Sequence, residues 1–199
     1  ISAAATVTVA NGIDIDGTGG ADSVDDNHGV FITGADTTVT HTGMTGAIDI
    51  DGTSMGTGIR NDGVEISINA LVNSTGTAPI QIDGTGSATA TGTDNNGILL
   101  SDADVRSISG DVTLVGRGGT GASGNQGVEI NVASTVDIRG SADVIINGTV
   151  GANTTEGVLI EGNSIIGDID PTANAADATG FIIIDANGGE LEIDGSTVR

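Results

Sequence analysis

The chain has 199 residues, 34 of them glycine and only 2 proline, with 37% hydrophobic and 1% aromatic side chains and 27 acidic against 5 basic residues, a net charge of −22. Collagen is excluded because glycine does not recur at every third position and proline is scarce, and a disordered polyanion is disfavoured because Ile and Val recur in alternating patterns that offer apolar surface to bury. All basic residues are arginine and cysteine is absent, so nucleic acid and anionic membrane are poor partners, divalent cations are better ones, and disulfides and thiolate metal sites are ruled out.

In chain order, "ISAAATVTVANG" (1–12) reads as a strand entering a first coil, and "NGIDIDGTGG" (11–20) follows, with Ile13 and Ile15 alternating with Asp14 and Asp16 before a glycine turn. The same stripe returns as "AIDIDGTSMG" (47–56) and "PIQIDGTGSA" (79–88). Its starts fall at Ile13, Ile48, Ile80, Val112, Val144 and, less regularly, Phe181, with steps of 35, 32, 32, 32 and 37 residues. A second series lies between them: "GVFI" from Gly29, "GVEI" from Gly63, "GILL" from Gly97, "GVEI" from Gly127 and "GVLI" from Gly157. A third, weaker series follows each of those, in "TTVTHTG" (37–43), "ALVNSTG" (70–76), "DVRSISG" (104–110), "STVDIRG" (134–140) and "NSIIGD" (163–168). The chain closes on "GGELEIDGSTVR", which looks like one more stripe carried by Leu191 and Ile193.

Each repeat therefore holds three short strand signals separated by Gly, Asn, Asp, Ser and Thr turns, with no 3.6-residue period between them. A unit this short cannot bury its own apolar face, so neighbouring repeats must stack and share a core. The expected fold is all-β: a parallel, right-handed, three-sided β-helix, or β-solenoid, of about six coils of ~32 residues. The whole chain, 1–199, is expected to be a single solenoid domain, either a piece of a longer solenoid or one subunit of a fibre. Inward ladders are expected along Ile13, Ile48, Ile80, Val112 and Val144, and along Ile15, Ile50, Ile82, Leu114 and Ile146. The Gly-rich turns are corners of the coil; no Lys is present to complete a phosphate loop.

If the isoleucines point inward, Asp14 and Asp49 face outward in register, and Asp16, Asp51 and Asp83 stack beside them. Carboxylates ~4.8 Å apart repel by ~1 kcal/mol in water and several-fold more at an effective dielectric of 20. A hard cation such as Ca2+ removes that cost and takes the oxygens as ligands. The five aspartates are thus candidate metal ligands, weighed against a solvated face that keeps the chain soluble. The ladder decays to Val115 and Asn147, which confines any ion to the first three coils. The loop "ADSVDDNHG" is acidic but matches no calcium-loop pattern and reads as a polar surface loop, with His28 and His41 as surface residues. Catalysis is not expected: there is no Trp or Tyr to stack on a sugar, no Lys, and the loops are too short to wall a cleft.

"GDVTLVGRGGTGASGNQGVEI" (110–130) and "IDGTGSATATGTDNNGILL" (82–100) share an order of strand, glycine-rich turn, small polar loop, Asn-x-Gly and strand. Over residues 11 to 167 this style resembles the long strand-repeat exoproteins of bacteria, the group similar to filamentous haemagglutinin and other giant secreted adhesins. The resemblance implies a secreted or cell-surface stalk or filament with structural, adhesive or matrix roles. Copies of the chain, flanking solenoid repeats or surface and matrix glycans are the expected partners, and membrane insertion is not expected because no apolar run approaches the ~18 residues needed to span a bilayer. The alternative is a fragment of a carbohydrate-active β-helix protein, a lyase or hydrolase, whose site lies outside this chain.

Overall fold

The computed structural model describes residues 1–22, 25–168 and 179–199. Its strands, numbered in chain order, fall into three parallel stacks. The first holds β2 (Ile13–Thr18), β5 (Ile48–Thr53), β7 (Ile80–Thr85), β9 (Val112–Arg117), β12 (Val144–Thr149) and β15 (Ile182–Asn187). The second holds β3 (Val30–Thr33), the leading halves of β6 (Val64–Ser74) and β8 (Ile98–Ser107), then β10 (Val128–Asn131), β13 (Glu156–Ile160) and β16 (Glu190–Ile193). The third holds β1 (Thr6–Val9), β4 (Thr38–His41), the trailing halves of β6 and β8, β11 (Thr135–Ile138), β14 (Ile165–Gly167) and β17 (Thr197–Val198). Every pairing is parallel and every coil contributes one strand to each stack, so the chain is a β-solenoid of about six coils.

The core follows from the alternation. In the first stack Ile13, Ile48, Ile80, Val112 and Val144 lie in register, as do Ile15, Ile50, Ile82, Leu114 and Ile146. The second stack adds Val30, Val64, Ile98, Val128 and Val158, and the third Val39, Val72, Val105, Val136 and Ile166. These side chains meet in one hydrophobic cluster along the axis. Each fully buried Val, Leu or Ile contributes roughly 1.5–3 kcal/mol over its exposed state, and β-branched residues dominate because they suit a pleated, packed surface.

Two register expectations are corrected. The sixth stripe begins at Ile182, not Phe181: Val144 pairs with Ile182, while Phe181 precedes the strand, accepts the Val144 N–H with its carbonyl and leaves its ring 70% exposed. Ile182 and Ile184 are the inward pair that the alternation requires. The closing "ELEID" imitates the first-stack stripe, yet β16 pairs with β13 in the second stack, and β17 follows it in the third. Hydrophobic alternation alone does not separate the two stacks; the pairing does.

The corner between the first and second stacks explains the glycine in "IDIDGT". A Cβ on Gly84 would sit 2.0 Å from the Gly97 carbonyl oxygen, and one on Gly97 would sit 2.2 Å from the Arg117 backbone nitrogen. Two columns of glycines thus lie backbone against backbone, a spacing no side chain allows. The bend between the second and third stacks uses left-handed backbone instead, at Ile68, Asn69, Asp102, Val132 and Ala133 (φ between 52 and 59°).

Candidate metal sites

Because Ile48, Ile50, Ile80 and Ile82 face the core, the residues between them must face out. Asp14 aligns with Asp49 and Gln81, and Asp16 with Asp51 and Asp83. Asp49, Asp51 and Asp83 each offer a carboxylate oxygen, all within 4.8 Å of one another. Asp14 and Asp16 extend both columns onto the first coil but are exposed and lie outside that tight group. Farther along the stack the columns turn to Thr113, Ile145, Ile183 and to Val115, Asn147, with Asp185 alone returning on the sixth coil, so the contiguous acidic face is confined to the first three coils.

The face is electrostatically costly. Partial burial and then the charges of Asp83, Asp14 and Asp16 push the Asp49 carboxyl above its usual range. Burial, followed by Asp49, Asp83, Asp16 and Asp14, does the same to Asp51. Asp49 Oδ1 is buried without a hydrogen-bond partner, whereas Asp83 Oδ2 accepts a 2.7 Å hydrogen bond from Gln81 Nε2. Among the described residues no Arg or His reaches ion-pair distance of the three carboxylates. Oxygen-only donors, concentrated negative charge and a partnerless oxygen suit a hard cation such as Ca2+.

The corner holds a second group that sequence inspection missed. An asparagine ladder runs along it: Asn95 Oδ1 accepts the Asn61 backbone N–H (3.1 Å) and side-chain amide (3.2 Å), and Asn95 Nδ2 donates to Asn125 Oδ1 (3.1 Å). The next residue in each coil forms a parallel ladder, in which Asp62 Oδ1 accepts the Asn96 N–H at 2.7 Å and Asn96 Oδ1 accepts the Gln126 N–H at 2.9 Å. His28 occupies this position in the first coil. Its side chain is 4% exposed, with Nδ1 3.4 Å from Asp62 Oδ2 and Nε2 3.2 Å from Glu65 Oε2.

His28 is therefore not a surface residue, and neither is His41, which is fully buried with Nδ1 accepting the Gly43 N–H. The loop does keep polar features: Arg60 forms a two-pronged pair with Asp26, and Asp25 accepts the Ile59 N–H; Ser23 and Val24 lie outside the described residues. Burial alone would lower the His28 imidazole, but Asp62, then Glu65 and Asp26, reverse this and raise it. Burial pushes Asp62 up to about 6 against the opposing pull of His28 and the Asn96 N–H. The signal was present in the sequence: His28 and Asp62 each precede the glycine that opens a second-series strand, so the 34-residue step stacks them.

A third titratable group, Glu129, lies on β10 and is also largely buried. It accepts hydrogen bonds from Asn96 Nδ2 and Asn131 Nδ2. Burial nevertheless pushes its carboxyl up to about 7, with Asp62 and Glu161 adding to the rise.

Comparison of the chain with protein-family models, with curated proteins and with solved structures returns no match. The fold and its side-chain groups carry the functional reading.

Proposed function

We propose that this chain is a structural or adhesive segment of an extracellular filament or stalk of a bacterial surface protein, and that its acidic face takes up Ca2+. The observation that carries the proposal is the register of Asp49, Asp51 and Asp83 on a solenoid whose coils share one continuous core. Main-chain hydrogen bonds run from coil to coil along the axis, so tension on the rod is met by many of them at once. The outer edges of β2 and β15 carry no further strand among the described residues, and flanking coils or copies of the chain are the partners that would pair there. Ca2+ at the acidic face relieves carboxylate repulsion within one rod and, through its remaining coordination positions, joins neighbouring rods side by side. Glycans of a cell surface or matrix are the ligand class expected for an adhesive role.

Negative-stain electron microscopy of the purified chain, in millimolar Ca2+ and then in EDTA, tests the proposal. Fibres or lateral bundles that disperse in EDTA are expected. Isolated short rods under both conditions would overturn self-stacking and the Ca2+ role, and would leave a stalk segment with a solvated acidic face.

A further inference from the structure

We propose that His28, Asp62 and Glu65 form a binding site for a divalent transition metal of the zinc type, distinct from the acidic face. All three side chains offer ligand atoms within 4.8 Å of one another, and two are almost wholly dry: His28 is 4% and Asp62 0% exposed, with Glu65 at 15%. Asp62 is held from behind, because its Oδ1 accepts the Asn96 N–H, and this tether turns Oδ2 towards His28. The Phe31 ring lies 4.8 Å from the imidazole, tilted by 33°, and walls the ring on one side.

His28 Nδ1 and Asp62 Oδ2 are both buried and face only each other, at 3.4 Å and too poorly aligned for a regular hydrogen bond. An imidazolium clamped between two carboxylates would donate to each. Here Nδ1 and Oδ2 stand 3.4 Å apart without alignment, and a buried polar atom left unpaired costs about 1–3 kcal/mol. A zinc-type ion accounts for both atoms. Two donors bound at about 2.0–2.1 Å with a tetrahedral angle between them lie roughly 3.3–3.4 Å apart, which matches the Nδ1 to Oδ2 separation. Glu65, the least buried of the three, lies 3.2 Å from Nε2 on the other edge of the ring. Turning its carboxylate towards Nδ1 would supply the third ligand, since the ligand atoms of the group lie within 4.8 Å of one another, with a water as the fourth.

The donor set decides the metal class. One imidazole nitrogen and two carboxylates suit Zn2+, Co2+ or Ni2+, whereas Ca2+ prefers six to eight oxygens. An ion here would join His28 of one coil to Asp62 and Glu65 of the next, fixing the long glycine-rich corner that lies between the strands. It is a staple across coils in a chain that has no disulfide.

The test is a Zn2+ titration of the whole chain at pH 7.5 with millimolar Ca2+ present to occupy the acidic face, followed by calorimetry and, on labelled protein, by the two histidine imidazole signals. The expected result is one saturable Zn2+ per chain. Binding should weaken by more than about tenfold in His28→Ala and Asp62→Asn and stay unchanged in Asp83→Asn. The His28 imidazole should shift on Zn2+ addition while that of His41 stays in place. Absence of saturable binding, equal binding in the His28→Ala variant, or no selective shift of His28 would overturn the proposal. Should either variant fail to fold, the imidazole signals of the unmodified chain decide alone. Loss of Ca2+-dependent fibres would not affect this result, because the two groups share no residue.

Discussion

Glu129→Gln is expected to stabilise the protein above neutral pH. The Glu129 carboxyl is raised from an ordinary 4.5 to about 7, so the folded state holds its proton more tightly than the unfolded chain does. Between those values the folded state binds more protons than the unfolded one, and stability falls as pH rises through the window. At 1.36 kcal/mol per pKa unit the full penalty is about 3 kcal/mol, present above pH ~7 and absent below ~4.5. Glutamine is neutral throughout and fits the polar surroundings. Its oxygen keeps one of the amide bonds from Asn96 and Asn131, and its NH2 can donate to Asn131 Oδ1, which is buried and without a partner. Allowing for the lost charge-assisted bond, the variant should gain about 1–2 kcal/mol at pH 8 and little or nothing at pH 5. Urea midpoints of both proteins at the two pH values measure this, and the difference between variants cancels the titration of carboxylates that do not interact with Glu129. A gap between wild type and Glu129→Gln that is the same at pH 5 and pH 8 would refute the reasoning.

Other substitutions probe the corner. Gly84→Ala forces a Cβ to 2.0 Å from the Gly97 carbonyl oxygen, a backbone clash that no rotamer relieves, and should cost at least ~3 kcal/mol; Gly195→Ala meets nothing within 4 Å and should cost only the left-handed backbone penalty of ~1–2 kcal/mol. Thermal melts followed by circular dichroism compare the two, and equal losses would contradict the interlocked-glycine picture. Asn95→Ala strips the Asn61 N–H of its buried acceptor and removes a donor from Asn125 Oδ1, with an expected cost of about 2–4 kcal/mol. Hydrogen exchange should show the Asn61 amide losing protection first, and unchanged protection there would sink the ladder assignment.

Much of the fold was legible because the physics of a solenoid writes itself into period and alternation. The inward ladders from Ile13 to Val144 and from Ile15 to Ile146 follow directly from a 32- to 35-residue step, and the outward aspartates follow from the inward isoleucines. The misread sixth stripe shows the limit: Phe181, Ile182, Ile183 and Ile184 are all apolar, so alternation cannot choose the phase, and pairing with Val144 does. "ELEIDG" failed for the related reason that first- and second-stack strands share one hydrophobic pattern. Of the candidate sites, the columns of Asp14, Asp49 and of Asp16, Asp51, Asp83 were readable from register, but not the partnerless Asp49 oxygen. His28 was misread because a lone histidine in an acidic loop looks solvated; its burial arises from the coil stacked on it, which brings Asp62 and Glu65 from 34 and 37 residues away.

Calcium titration calorimetry of the chain and of an Asp49→Asn/Asp83→Asn variant, at pH 7.5 and physiological salt, bears most directly on the acidic face. Saturable Ca2+ binding in the unmodified chain that disappears in the variant is the predicted result, since the substitutions remove two of the three clustered carboxylates and leave the core untouched. Weak, non-saturating heats of equal size in both proteins would contradict it, and would leave the aspartates as a solvated surface.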